Sequence, residues 1–176
     1  KIKTLMNQRG FTLFELLIDV GIVGLILLTL GLSLINLLYG RVKVRAISEV
    51  LSNARLIEQQ LSDAARHAEG INVGASTFNS DPGVLSLNME NAQVDPTIFS
   101  LSSDNGILQV SEAGTQDVSI TTNNVQVTNL VFHNLTGSGD MGVIQVEYTL
   151  QANNPANLIY YDYVASFQTT LRIPLD

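Results

Sequence analysis

The stretch RGFTLFELLIDVGIVGLILLTL, Arg9 to Leu30, sets the architecture of this chain. It is almost all hydrocarbon, yet it carries two carboxylates, Glu15 and Asp19. On a helix the four-residue spacing puts both acids on one face, a turn apart. A charged side chain at the centre of a membrane helix costs about 2.5–3.5 kcal/mol on insertion scales. Two acids in such a run call for a compensating partner.

The apolar run continues from Phe11 to Leu38. Its uncharged part, Val20–Leu38, would rise roughly 28 Å as a helix, close to the thickness of a bilayer core. Gly21, Gly24 and Gly31 lower helix propensity, but in lipid the backbone must satisfy itself, and such glycines read as sites of close helix packing. Lys1, Lys3 and Arg9 precede the run, and Arg41, Lys43 and Arg45 follow it. Basic flanks suit lipid headgroups, but their balance leaves the orientation open. A cleaved secretory signal fits poorly, since NLLYGRVKVR has no small-residue cleavage pattern.

The helix is expected to outlast the membrane. From Ile47 the residues Ile47, Val50, Ala54, Ile57, Leu61, Ala64 and Ala68 alternate spacings of three and four, one stripe of an amphipathic helix. No proline interrupts residues 1–81, and Gly70 is placed to cap the end. The expectation is one helix of some 55–60 residues, with a membrane half over 11–40 and an amphipathic half over 41–70. The stripe needs a cover, and residues 71–176 are the obvious one.

That remainder reads as strands over 84–89, 97–101, 107–110, 117–122, 125–135, 142–150 and 166–173. In 125–135 the alternation slips at Asn129–Leu130, the mark of a bulge or bend. SDPG (80–83), SDNG (103–106), TGSGDMG (136–142) and ANNPAN (152–157) supply turns. The expected class is α+β, a long N-terminal helix packed on an antiparallel β-sheet with one wet face.

Composition narrows the function. Residues 1–45 hold six basic and two acidic residues, and the rest holds three basic and 14 acidic, for a total of −7. So acidic a body is a poor nucleic-acid partner. Without cysteine there is no disulfide and no thiolate metal site. His67 and His133 are far apart in sequence, and no nucleophile elbow, Walker loop or dinucleotide motif is present. GSGD (137–140) lies between strands and reads as a turn. Asp104, Asn105 and Asp140 lack the spacing of a carboxylate loop for a cation. YYDY (160–163) reads as packing or as a contact surface. No catalytic residue, metal or cofactor is expected.

RGFTLFELLI, with its basic leader, Gly10, Phe11, Thr12, Leu13, Glu15 and the apolar run, resembles the N-terminal motif of type IV prepilins and the pseudopilins of type II secretion and DNA-uptake machines. The long helix with a strand-rich domain is similar to that family in plan. The resemblance implies a leader over 1–10, removed by a prepilin peptidase between Gly10 and Phe11, and methylation of the new Phe11 amino group. It implies a cytoplasmic leader, an inner-membrane precursor with the acidic domain outside, and later an extracytoplasmic filament of pilin-like subunits. Glu15 would pair with the amino-terminal charge of a neighbouring subunit. An ammonium and a carboxylate in low dielectric relieve each other only in good geometry, so the pair acts as a register device. The alternative for Glu15 alone is a helix-end acid reaching back to the interface.

Asp19 departs from the family pattern. It bonds a polar group on a neighbouring helix, marks a subunit with a fixed partner, or is a tolerated variant; all three readings stand. The run lacks the proline that accompanies helix loosening in some pilins, and the chain cannot form the C-terminal disulfide of many major pilins. The missing proline speaks against such loosening here, and the missing disulfide resembles a minor pilin or pseudopilin. The competing reading is an unprocessed single-pass anchor displaying an acidic binding or adhesin domain. An exported hydrolase on a tether is a third, which the missing catalytic constellation disfavours.

Overall fold

A computed structural model describes residues 12–103, 106–137 and 141–174, with Met141 and Ile159 described by backbone only. The chain forms two compact units, Lys1–Arg41 and Val42–Asp176. One helix, α1 (Leu13–His67, 55 residues), contributes to both. The expected length is therefore met.

Within the second unit the rest is strand. β1 (Ala68–Ile71), β2 (Leu85–Met89), β3 (Thr97–Leu101), β4 (Leu108–Glu112) and β5 (Val118–Ser119) form an antiparallel sheet in sequence order. β6 (Val125–Asn134), β7 (Met141–Ala152) and β8 (Val164–Pro174) form a second antiparallel sheet, with a short 3₁₀ turn at Ile159–Tyr161 before β8. The class is α+β as expected, but the single sheet of the sequence reading is two sheets. The first sheet's loops cover the free edge of β6. The Asn79 and Gly83 amides donate to the Phe132 and Leu130 carbonyls, and the Val127 amide donates to the Gly106 carbonyl. The Leu130 amide donates to Asp81 Oδ1 at 2.9 Å. The turn needs glycine at its end, because a Cβ on Gly83 would lie 2.9 Å from the Phe132 ring and 3.1 Å from the Leu130 carbonyl.

Ala46, Val50, Ala54, Ile57, Leu61 and Ala65 form the buried stripe of α1 and meet both sheets in one core. Leu85, Leu87, Phe99 and Leu108 come from the first sheet, and Leu130, Phe132, Ile144, Val146, Tyr148 and Leu150 from the second. Each such side chain contributes about 1.5–3 kcal/mol on burial. The stripe begins at Ala46 rather than Ile47, which is only half-buried.

The helix also stops sooner than Gly70. His67 is its last residue, and Ala68, expected on the helical stripe, opens β1 while staying in the core. His67 Nδ1 reaches the Asp63 carbonyl at 2.8 Å and the Glu90 amide reaches the His67 carbonyl at 3.4 Å, so the last turn finds partners without a glycine cap. Gly70 pairs with Asn88 instead.

The slip in the 125–135 strand is a bulge. Val127 faces Leu150 and Asn129 faces Thr149, which leaves Thr128 as the extra residue. Burial moves from Val125 and Val127 to Leu130 and Phe132. Without that residue Leu130 and Phe132 would point to solvent.

Asn53 is a polar residue on the buried stripe, 1% exposed. Its Oδ1 accepts the Thr122 amide at 2.9 Å, and its Nδ2 donates to the Glu49 carbonyl at 2.8 Å. This bond helps to explain why β5 is two residues long where 117–122 was expected. Thr121 turns back to Leu108, whose amide donates to its hydroxyl at 3.0 Å, and Thr122 turns to the helix. Asn53→Ala should leave a part-buried amide unpaired and cost about 1–3 kcal/mol. Denaturant unfolding of the full chain in detergent measures it, and a loss under about 0.5 kcal/mol would mean that water satisfies Thr122.

Candidate functional site

The acids of the opening stretch lie in the first two turns of α1. Thr12 precedes the helix, and its Oγ1 accepts the Glu15 amide at 3.2 Å. That is an N-cap with an acid three positions on, a start signal legible in T-L-F-E but not used in the sequence reading. Glu15 therefore sits where the positive end of the helix dipole favours a carboxylate, by about 0.3–1 kcal/mol. Asp19 lies a turn beyond that range. The structure thus gives the two acids different local settings, although the helix places them on one face.

Leu13–Tyr39 exposes nearly all its large apolar side chains, from Leu13 at 85% to Tyr39 at 42%. By length and composition α1 can cross a membrane, and its apolar window has no buried residue. Thr29, the polar residue midway along the run, returns its hydroxyl to the Ile26 carbonyl at 2.8 Å, so it needs no water there. A Cβ on Gly21, Gly24 or Gly31 would meet nothing within 4 Å. At about 100° per residue these glycines lie on the side opposite Glu15 and Asp19. The segment has one acidic face and one smooth face. Residues 12–40 contain no lysine, arginine or histidine, so no cation within the run can answer either acid. Gly10 and Phe11 lie outside the described residues.

The other candidates are structural where the structure describes them. His67 closes the last turn of α1. His133 Nδ1 meets Asn79 Oδ1 at 2.6 Å, and its Nε2 is 3.8 Å from a Glu147 oxygen, which ties the 79–83 turn to β6 and β7. Tyr161 and Tyr163 pack on the core, while Tyr160 is exposed. Asp104, Asn105 and Asp140 lie outside the described residues, as does most of GSGD. Among the described residues no three His, Asp or Glu side chains converge as metal ligands.

Tyr148 carries the clearest electrostatic signature. Burial, then the Glu58 charge, then its hydrogen bond, push the phenol well above the usual tyrosine range. Its hydroxyl makes long contacts to the Ala54 carbonyl at 3.4 Å and Glu58 Oε1 at 3.5 Å, and its ring stacks on Phe167 at 5.3 Å. It remains a protonated donor joining β7 to α1. No family model, curated protein or solved structure gives a significant match to this chain.

Proposed function

We propose that this chain is a pilin-like structural subunit, a minor pilin or pseudopilin, rather than an enzyme. It is made as a membrane-inserted precursor, cut between Gly10 and Phe11, and assembled through α1. The observation that carries this reading is the character of α1. One unbroken helix runs from a bare apolar segment headed by Glu15 into the core stripe of a strand-rich domain. A simple anchor has no use for an acid pair in its apolar run. An assembly helix does, because charges that are expensive in lipid enforce register when a neighbour answers them. The prepilin-like motif around Gly10 supplies the processing step. No cofactor has a role in this reading. Its partners are other pilin-like subunits, a prepilin peptidase and lipid.

Intact-mass measurement of the protein from its own membrane tests the proposal. The expected species lacks KIKTLMNQRG and carries one methyl group on Phe11. Full-length protein in cells with an active prepilin peptidase would sink the proposal in favour of an unprocessed anchor.

A further inference from the structure

A cavity of about 510 Å³ opens where the last turns of α1 meet the first sheet, within the range of ligand-sized pockets. Met89, Val94 and Val110 give it an apolar floor, and Asp63, Glu90 and Glu112 stand around it. All three carboxylates are exposed, and among the described residues none has a cation within 4 Å. No lysine or arginine lines the cavity. Its His67 is turned by Nδ1 to the Asp63 carbonyl. An apolar floor ringed by unpaired acids suits a basic side chain, whose stem lies on hydrocarbon and whose head meets a carboxylate.

The same unit carries the complement. Lys43, Val44 and Arg45 are all exposed, with Val44 at 65%. Among the described residues Arg45 pairs only with Glu49, at 3.9 Å from its own well-exposed side chain, which holds it weakly. Lys43 cannot reach the cavity of its own chain, because Asp63 lies roughly 30 Å further along the same helix.

We infer that the Lys43–Val44–Arg45 segment of a second copy docks in this cavity. Val44 covers the apolar floor, and Lys43 and Arg45, which leave the helix about 100° to either side of it, reach carboxylates on opposite flanks of the cavity. The two surfaces differ, so the contact is head-to-tail and does not close on itself. Each copy stands one helix-length step of roughly 30 Å from the next. The inference rests on the pilin-like reading for its purpose, since such a contact fixes the stagger of a filament. Before assembly Lys43 and Arg45 lie close behind the apolar run, where lipid phosphate can hold them.

The absence of cysteine makes the test direct. A full-length chain carrying Val44→Cys and Asn91→Cys keeps every charge and cannot bridge internally. Mild oxidation of intact cells, with the filament-associated protein then separated without reductant, should give a ladder of dimers, trimers and higher species. Val44→Cys with Thr115→Cys, outside the cavity, should give none. Lys43→Glu with Arg45→Glu should cut the ladder roughly tenfold, since facing like charges repel. Adding Asp63→Lys and Glu112→Lys to that variant should restore it, which a misfolded chain would not do.

Monomer alone, or a ladder indifferent to charge reversal, overturns the inference. So does an Asn91→Cys adduct formed only with a different protein. Leader removal is read from the same samples. No ladder in processed, methylated protein defeats the docking and leaves the pilin-like reading intact. A charge-dependent ladder in unprocessed protein does the reverse.

Discussion

Glu15→Ala should leave the protein membrane-inserted and processed while lowering its incorporation into filaments by roughly a hundredfold. Breaking one side of a buried ion pair costs about 3–5 kcal/mol, because the remaining charge is left bare, and 3 kcal/mol is already more than a hundredfold. The capped first turn offers the competing account. If Glu15 only complemented the helix dipole above Thr12, its loss would cost about 0.3–1 kcal/mol, less than tenfold. The two magnitudes do not overlap. Quantifying filament-associated against membrane-associated subunit, normalised to processed protein, decides between them. Glu15→Gln should behave like the alanine variant if charge is what matters. Glu15→Asp should recover part of the loss. Assembly within a few-fold of normal for Glu15→Ala would remove the pairing role.

The second large effect is on the fold. Ile57→Ala should destabilise the globular unit by about 2–5 kcal/mol, while Leu56→Ala, one residue away, should change it by no more than about 0.5 kcal/mol. Ile57 is 0% exposed on the stripe and Leu56 is 42% exposed. Against a typical total of about 5–15 kcal/mol, the first change removes a large share of stability and the second almost none. Denaturant titration of the full chain in detergent, followed by a signal from the strand-rich domain, measures both. The Ile57 variant should still insert through its apolar run, so it should reach the membrane and be degraded there. Equal effects at the two positions would mean that the helix does not seat as described.

The features legible in the sequence had strong local periodicity. The 3–4 spacing from Val50 to Leu61 gave the buried face of α1 directly, and the alternation in residues 142–150 and 166–173 gave β7 and β8 to within two residues at each end. The bulge announced itself because a chain must shift one residue to bring Leu130 and Phe132 back inside. The missed features depend on contacts distant in sequence. AEGI has no alternation, and its glycine mimics a helix cap, so β1 is visible only once β2 is beside it. β5 ends before Thr122, whose amide donates instead to Asn53, 69 positions earlier. Two sheets and one give the same strand pattern in sequence. At the candidate site the acid pair could be read directly, whereas Thr12 as its cap needed the helix start to be fixed. The acid-rimmed cavity draws on α1, β2, β3 and β4 and had no sequence signal.

The Asn53–Thr122 and Tyr148–Ala54 bonds bear on the order of events during synthesis. The helical stripe leaves the ribosome first, and the strands of the second sheet that cover it leave last. Roughly 90 residues separate Ala65 from the end of β7, which is about 4–17 s at ordinary translation rates. Until β6 emerges the stripe has no native partner from the second sheet, and the core lacks Ile144, Val146 and Tyr148 until β7 follows. The apolar run can already be in the bilayer, so the nascent domain waits beside a lipid surface with part of its core face still open. Long-range pairing of this kind is slow by its topology. Transient shelter of residues 46–65, by a chaperone or by the membrane surface itself, would cover what the first sheet leaves open until β7 arrives.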